Sequence, residues 1–199
     1  MESELEVDFL GGAVAHRFRF GGGRGQALAR AVGLKPEKTP KIVDATAGLG
    51  RDAFLLASLG AEVTLIERSA RMHRLLEQGL ERAAAAGGEI APVIARMKLI
   101  HADAIELLPE LSPQIIVVDP MHPERKGSAL VKKQLRQVRK IVGTDEDAAE
   151  LMQVALASAS RRVVLKWPQK AAPMPGLPPP SHQITGKSTR YDVFMIQNM

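Results

Sequence analysis

The chain has 199 residues, 45% of them hydrophobic, which is enough for one well-buried core and too few for two enzymatic domains. It has no cysteine, which excludes disulfides, thiolate metal sites and catalysis through a covalent cysteine adduct. The net charge of +5 favours a polyanionic partner, and the acidic start with no long apolar run predicts a cytoplasmic protein without a membrane partner.

Apolar runs alternate with helical patterns along the chain, as in a parallel sheet covered by helices on both faces. The glycine-rich stretch 8–25 predicts a loop or short hairpin, and 26–32 predicts a helix. Further helices are predicted at 52–59, 70–86, 104–108 and 146–158. Strands are predicted at 41–44, 62–67, 97–101, 114–119 and 162–166.

The C-terminal part changes character after the fifth strand. Six prolines between Pro168 and Pro180 oppose regular structure there. Two short strands, 182–185 and 191–196, then predict an antiparallel hairpin that closes the parallel sheet. We expect one α/β domain over 1–199, with a basic, glycine-rich extension and helix at 1–34 and a catalytic core at 40–199.

The segment from Asp44 to Asp52 follows the first strand, where doubly wound sheets bind ligands. Gly48 and Gly50 allow a tight turn and a close approach of the backbone, and the next helix begins with free N–H donors. Arg51 and Asp52, at that helix start, are expected to shape the pocket for a methionine group.

The glycines alone leave two cofactors open, because Gly48-x-Gly50-x-x-Ala53 also fits the dinucleotide fingerprint of nicotinamide-dependent oxidoreductases. The preceding Asp44 and the short chain favour S-adenosylmethionine, whose sulfonium benefits from nearby acids. Glu67, at the tip of the second strand, could accept both hydroxyls of a ribose. Asp103 could contact the adenine amino group or simply cap a helix.

The fourth strand ends in Asp119-Pro120-Met121-His122, which resembles the Asp/Asn-Pro-Pro-Phe/Tyr motif of amino methyltransferases. A conjugated amine is a poor nucleophile because its lone pair is delocalised. Accepting its two N–H bonds at the Asp119 carboxylate and the Pro120 carbonyl would orient that lone pair. His122 would stack on an extruded base where the motif usually has an aromatic residue. The alternative is a strand end followed by a turn.

A basic run follows this motif and is predicted to contact RNA phosphates, although a solvated helix face would explain the same charges. Arg24 is predicted to extend the basic surface. The basic run contributes Arg125, Lys126, Lys132, Lys133 and Arg136 to the predicted RNA-binding set. Lys166, Trp167 and Pro168 could line the substrate entrance, with packing of Trp167 on the sheet an equal alternative. The histidines show no metal-ligand spacing, so no metal is expected.

Several motifs together resemble the bacterial small-subunit rRNA methyltransferase J family. They comprise the stretches 8–12, 16–17, 20–25, 44–53, 119–121 and 126–133. The resemblance implies a Rossmann-like class I methyltransferase fold, with a mostly parallel seven-stranded sheet, an antiparallel C-terminal strand and helices on both faces. It also implies methylation of guanine N2 in 16S rRNA, free or in the small ribosomal subunit. The cofactor contacts that it implies are Arg51, Asp52, Glu67, Arg68, Asp103, Ala104 and Asp119.

Other activities remain open at this point. The same Asp119 motif would serve an amino methyltransferase acting on another RNA, on DNA or on a protein glutamine. A non-catalytic RNA-binding module is a further alternative, although such a module has no reason to keep both Glu67 and Asp119. The sequence predicts no particular oligomeric state.

Overall fold

The computed structural model describes residues 5–121, 137–138, 141, 147–186 and 188–196. The strands are β1 (Lys41–Asp44), β2 (Glu62–Glu67), β3 (Met97–His101), β4 (Ile115–Val118), β5 (Arg162–Pro168), β6 (His182–Thr185) and β7 (Thr189–Met195). The helices are α1 (Gly12–Phe20), α2 (Ala27–Val32), α3 (Arg51–Ser58), α4 (Ala70–Ala85), α5 (Ala91–Ile94), α6 (Ala104–Leu111) and α7 (Ala148–Ser158).

The strands form one seven-stranded sheet in the order β3-β2-β1-β4-β5-β7-β6. The first five pair in parallel, and β7 pairs antiparallel with both β5 and β6. The predicted α/β fold and the antiparallel closure are therefore confirmed. The strand order reverses between β1 and β4, so their carboxyl ends form the crevice in which such sheets bind ligands.

Alternate side chains of the central strands enter two different hydrophobic clusters. The first face, with Ile42 and Val117, packs against α2, α3 and α4. The second face, with Val43 and Val118, packs against α6 and α7. β4 is buried at all four positions, which explains its unbroken Ile-Ile-Val-Val sequence.

The N-terminal prediction was wrong in part, because residues 8–25 contain α1 and the 3-10 turn Gly23–Gly25 instead of a loop or hairpin. The helix forms because tertiary packing outweighs the weak local signal of its flanking glycines. Phe18 of α1 meets Phe54 of α3 with ring centroids 5.9 Å apart, and Phe9 stacks on the same ring at 5.1 Å. The four-residue α5 was not predicted from the sequence. α6 runs on to Leu111 through Pro109, beyond its predicted end at 108.

Candidate active site

Several polar side chains at the carboxyl edge of the sheet share its first face. Because side chains alternate along a strand, residues with the parity of Ile42, Val117 and Val164 lie on that face. The polar residues with this parity include Asp44 in β1, Asp119 after β4, Lys166 in β5 and Tyr191 in β7. These four side chains therefore lie on the face of the sheet that α3 covers.

Lys166 joins two carboxylates from different elements. Its Nζ lies 2.6 Å from Oδ2 of Asp52, in the first turn of α3, and 2.6 Å from Oδ2 of Asp119. Arg17 of α1 adds a second cation, with its Nη1 3.5 Å from Oδ1 of Asp52. The ammonium thus neutralises and positions the carboxylate that follows β4.

Thr46 connects the ends of β1 and β4 through two hydrogen bonds. The backbone N–H of Asp119 donates to the Thr46 hydroxyl at 2.7 Å. The backbone N–H of Thr46 donates in turn to Oδ1 of Asp44 at 3.1 Å. The backbone of Asp119 is consequently fixed relative to the glycine loop.

The carboxylates in this cluster have very different proton affinities. Burial raises the pKa of Asp44 to about 7, against the Thr46 hydrogen bond and with help from the nearby carboxylates of Asp52 and Asp119. Burial also acts to raise the pKa of Asp52, but the Lys166 ammonium outweighs it and the pKa is lowered. The site therefore combines an acid that titrates near neutrality with one that stays ionised.

Lys166 and Tyr191 stay protonated at neutral pH. Burial alone would lower the pKa of Lys166, yet Asp119 and Asp52 raise that pKa well above its ordinary value. Tyr191 is the cross-strand neighbour of Lys166, and burial together with the Asp52 charge raises its pKa to about 12. Neither side chain is therefore a general base in this state of the site.

Glu67 holds the glycine loop in place from the tip of β2. Its Oε2 accepts a hydrogen bond from the Gly48 N–H at 3.0 Å, and its Oε1 accepts one from the Ser69 N–H at 2.8 Å. The side chain is 5% exposed, so these bonds also offset the cost of burying its charge. Each carboxylate oxygen can accept more than one hydrogen bond, so Glu67 can hold the loop and still accept a hydroxyl.

Both glycines of the loop have left-handed backbone, with φ of 50° at Gly48 and 66° at Gly50. A Cβ on Gly50 would lie 2.8 Å from Leu76 Cδ1 and 3.1 Å from Phe9 Cζ, whereas one on Gly48 would lie 3.9 Å from its nearest neighbour, the Thr46 carbonyl oxygen. Gly50 is thus required by packing as well as by conformation. Gly48 keeps open space beside the cleft.

Asp103 and Arg68 lie on the far side of Glu67. The Asp103 carboxylate caps α6 by accepting from the Ile105 N–H at 2.8 Å, as the capping alternative predicted. Arg68 lies 4.0 Å from Asp103 and forms a closer ion pair with Asp147, just before α7. This ion pair connects the end of β2 to the start of α7 across the cleft.

Two adjoining pockets follow from this arrangement. The Glu67 pocket lies between β1, β2 and α6, and its walls include Ile66, Glu67, Arg68, Asp103, Ala104, Ile105 and Leu151. The Lys166 pocket lies between β1, α3 and β5, and its walls include Arg17, Asp44, Arg51, Asp52 and Lys166. Both pockets are lined by Thr46, Gly48, Asp119, Met121 and Val138. Asp119 therefore lies where the two pockets meet.

Residues 1–196 match the model of a family described as "Putative SAM-dependent methyltransferase". The chain belongs to this family.

Similar proteins place this methyltransferase more narrowly. It is 69% identical to the ribosomal RNA small subunit methyltransferase J of Brucella anthropi, over 97% of this chain and 94% of the relative. The protein of the same name from Agrobacterium fabrum is 65% identical, over 96% of this chain and 91% of the relative. The chain therefore belongs to the methyltransferase J family as well, which confirms the resemblance stated from its motifs.

Solved structures agree with the methyltransferase family and its fold. A SAM-dependent methyltransferase from Neisseria gonorrhoeae superimposes with a TM-score of 0.77 at 36% identity, covering 98% of this chain and 76% of the other. An RNA methyltransferase from Salinibacter ruber, solved with S-adenosylhomocysteine, superimposes with a TM-score of 0.53 at 13% identity, covering 86% of this chain and 89% of the other. This second likeness supports the fold alone.

The two pockets fit S-adenosylmethionine, the cofactor of the family. The Glu67 pocket offers apolar walls at Ile66, Ile105 and Leu151 for a base, with a carboxylate at a strand tip for a ribose. The Lys166 pocket offers the carboxylates of Asp44 and Asp52, which suit a positively charged methionine group. The dinucleotide alternative is therefore not supported.

The structure brings most of the predicted site residues of the methyltransferase together and leaves some apart. The cofactor set from Asp44 to Asp119 and the motif residues Pro120 and Met121 surround or adjoin the two pockets. Arg24 lies elsewhere, since its Nη2 donates to the Leu59 carbonyl at 3.0 Å, at the end of α3 remote from the glycine loop. His122, Arg125, Lys126, Lys132, Lys133 and Arg136 lie outside the described residues.

Sequence reasoning assigned no role in the reaction to Lys166, Thr46 or Arg17. The signal for Lys166 was present in the sequence. Lys166 lies two residues after Val164 in β5, so both side chains lie on the same face, and β5 pairs with β4. Thr46 and Arg17 gave no such signal, since their contacts depend on how loops and α1 pack.

Two searches of the described residues complete the description of the methyltransferase. None of the helices there combines the length and apolarity needed to cross a bilayer. Within the same residues, histidines and acids do not cluster in a way that could hold a metal ion.

Proposed function

We propose that the protein transfers a methyl group from S-adenosylmethionine to the exocyclic N2 of a guanine in 16S rRNA. The identity of 69% over nearly the whole chain to a ribosomal RNA small subunit methyltransferase J carries the rRNA part of this proposal. The choice of guanine N2 rests on the family resemblance of the motifs. The substrate is free 16S rRNA or the small ribosomal subunit.

The cofactor is held by the residues that line the two pockets. Glu67 would accept hydrogen bonds from the ribose hydroxyls, and Asp103 and Ala104 would lie beside the adenine. Asp44, Gly48, Arg51 and Asp52 surround the methionine group. S-adenosylmethionine supplies the electrophilic methyl group when it is bound.

The amine is held where the pockets meet. The carboxylate of Asp119 and the backbone carbonyl of Pro120 accept its two N–H bonds, which directs the nitrogen lone pair toward the cofactor side. Lys166 fixes one oxygen of Asp119 at 2.6 Å, so the acceptor is oriented before the base arrives. Met121 and His122 follow in the chain, and His122 is the residue expected to stack on the extruded base.

The RNA is attracted by the basic residues that follow the motif, from Arg125 to Arg136, with Arg24 as a more distant contact. Phosphate contacts of this kind position a nucleic acid without reading its sequence. The net charge of +5 is consistent with this partner.

The direct test is transfer of a radiolabelled methyl group to purified small subunits and to deproteinised 16S rRNA from cells lacking the gene. The proposal expects the label to be in the RNA, so that nuclease releases the label and protease treatment alone leaves it in place. Label found in the protein fraction would instead favour a glutamine methyltransferase and would contradict the proposal. A protein that binds S-adenosylhomocysteine but labels neither fraction would also contradict it.

A further inference from the structure

α1 exposes an aromatic pair on the face that it turns away from the core. Val14 and Ala15 are buried beneath it, while Phe20 is 74% exposed. The rings of His16 and Phe20, one helical turn apart, have centroids 5.2 Å apart. Burying a phenylalanine is normally favourable by about 2 kcal/mol, so this exposed ring offers apolar area for contact with a partner.

The same helix reaches the active site. Arg17 lies 3.5 Å from Asp52, which Lys166 joins to Asp119. Phe20 follows Arg17 by three residues, which is about 4.5 Å along a helix axis. The aromatic pair therefore lies on the helix that contributes Arg17 to the Lys166 pocket.

Two arginines of α1 adjoin the pair in the chain. Arg19 is exposed on the same helix, and Arg17 is 40% exposed even while it contacts Asp52. α1 has no acidic residue among its nine, Gly12–Phe20. Exposed aromatic rings between arginines are the surface on which single-stranded nucleic acids bind, because bases stack on the rings and phosphates pair with the cations.

We propose that Phe20, supported by His16, stacks on an unpaired RNA base adjacent to the nucleotide that enters the active site, with Arg19 at its phosphate. The inference rests on the proposed function, and it adds a binding surface outside the basic run that follows Asp119. Holding a neighbouring base would keep the target strand open while one base is extruded into the pocket.

The test compares binding of a fluorescent single-stranded oligoadenylate of twelve nucleotides with an abasic strand of the same length. Both strands carry the same phosphates, so the ratio of the two affinities isolates the contribution of the bases. We expect Phe20→Ala to lower affinity for the oligoadenylate by roughly fivefold or more, with little change for the abasic strand. Phe20→Trp should retain binding, and Phe20→Leu should behave like Phe20→Ala.

Leu111→Ala, at an exposed leucine on α6, is the matched control and should leave both affinities unchanged. Unchanged oligoadenylate binding in Phe20→Ala, or full binding in Phe20→Leu, would overturn the stacking surface. A loss seen only with intact ribosomal subunits would also overturn it, by indicating a protein contact. If the wild-type protein fails to methylate 16S rRNA, the proposed function fails instead, whatever the oligonucleotide result.

Discussion

Asp44→Asn should make the protein more stable, and increasingly so as the pH rises. The Asp44 carboxyl is 4% exposed, and burial raises its pKa from 3.8 to about 7. A carboxyl whose pKa is higher in the folded than in the unfolded state makes the protein less stable as the pH rises. The reason is that the folded protein keeps a proton that the unfolded chain releases. Asparagine has the same shape and no charge, so the variant is free of this penalty.

The size of the effect follows from the two pKa values. Between about pH 5 and pH 8, the penalty on the wild-type protein grows by ~2.5 kcal/mol when the folded pKa is about 7 and the unfolded pKa is 3.8. The lowered pKa of Asp52 and the raised pKa of Lys166 keep both of those groups charged throughout this range. The test uses only the change with pH in the stability difference between Asp44→Asn and wild type, because pH-independent effects of the substitution cancel in that change.

Urea unfolding of the cofactor-free protein at the two pH values measures this difference. Glu62→Gln, at an exposed carboxylate in β2, is the control and should give a difference that stays nearly constant. A stability difference between Asp44→Asn and wild type that does not grow with pH would refute the account of Asp44 as a buried acid.

Three further predictions test the rest of the site. Lys166→Met should lower the rate of methyl transfer by roughly tenfold or more, because Asp119 loses the ammonium that holds its Oδ2 at 2.6 Å, and Lys166→Arg should restore part of that rate. An unchanged rate would exclude this positioning role. Gly50→Ala should lower the free energy of unfolding by ~1–3 kcal/mol more than Gly48→Ala. Both residues have positive φ, but only a Cβ at residue 50 meets packed side chains. Equal losses in urea unfolding would contradict this. Affinity for 16S rRNA should fall roughly tenfold or more between low and moderate salt, and a flat response in a filter-binding assay would argue against phosphate contacts.

The sheet was predictable because its strands are short apolar runs bounded by turn residues. β4 is a continuous apolar run and is buried at all four positions, and Gly60 and Gly87 follow the ends of α3 and α4. Asp44, Glu67 and Asp119 could be placed at one edge because the carboxyl ends of parallel strands meet there. Local sequence was sufficient for these positions.

Contacts between distant segments were not predictable in the same way. α1 depends on the packing of Phe18 against Phe54, and its own hydrophobic pattern is weak beside glycine-rich flanks. Lys166 meets Asp52 across 114 residues, a pairing that requires the strand order and the helix position to be known first. The sequence could show a lysine at a strand end but not which carboxylates it would join.

The proposed function itself is tested most directly by nucleoside mass spectrometry of 16S rRNA from cells lacking the gene, complemented with either the wild-type gene or Asp119→Ala. We expect the wild type to restore one N2-methylguanosine and Asp119→Ala to leave it missing, while Asp119→Ala still binds S-adenosylhomocysteine in calorimetry. Restoration of a different methylated nucleoside, or full restoration by Asp119→Ala, would contradict guanine N2 as the target or Asp119 as the acceptor of its amine.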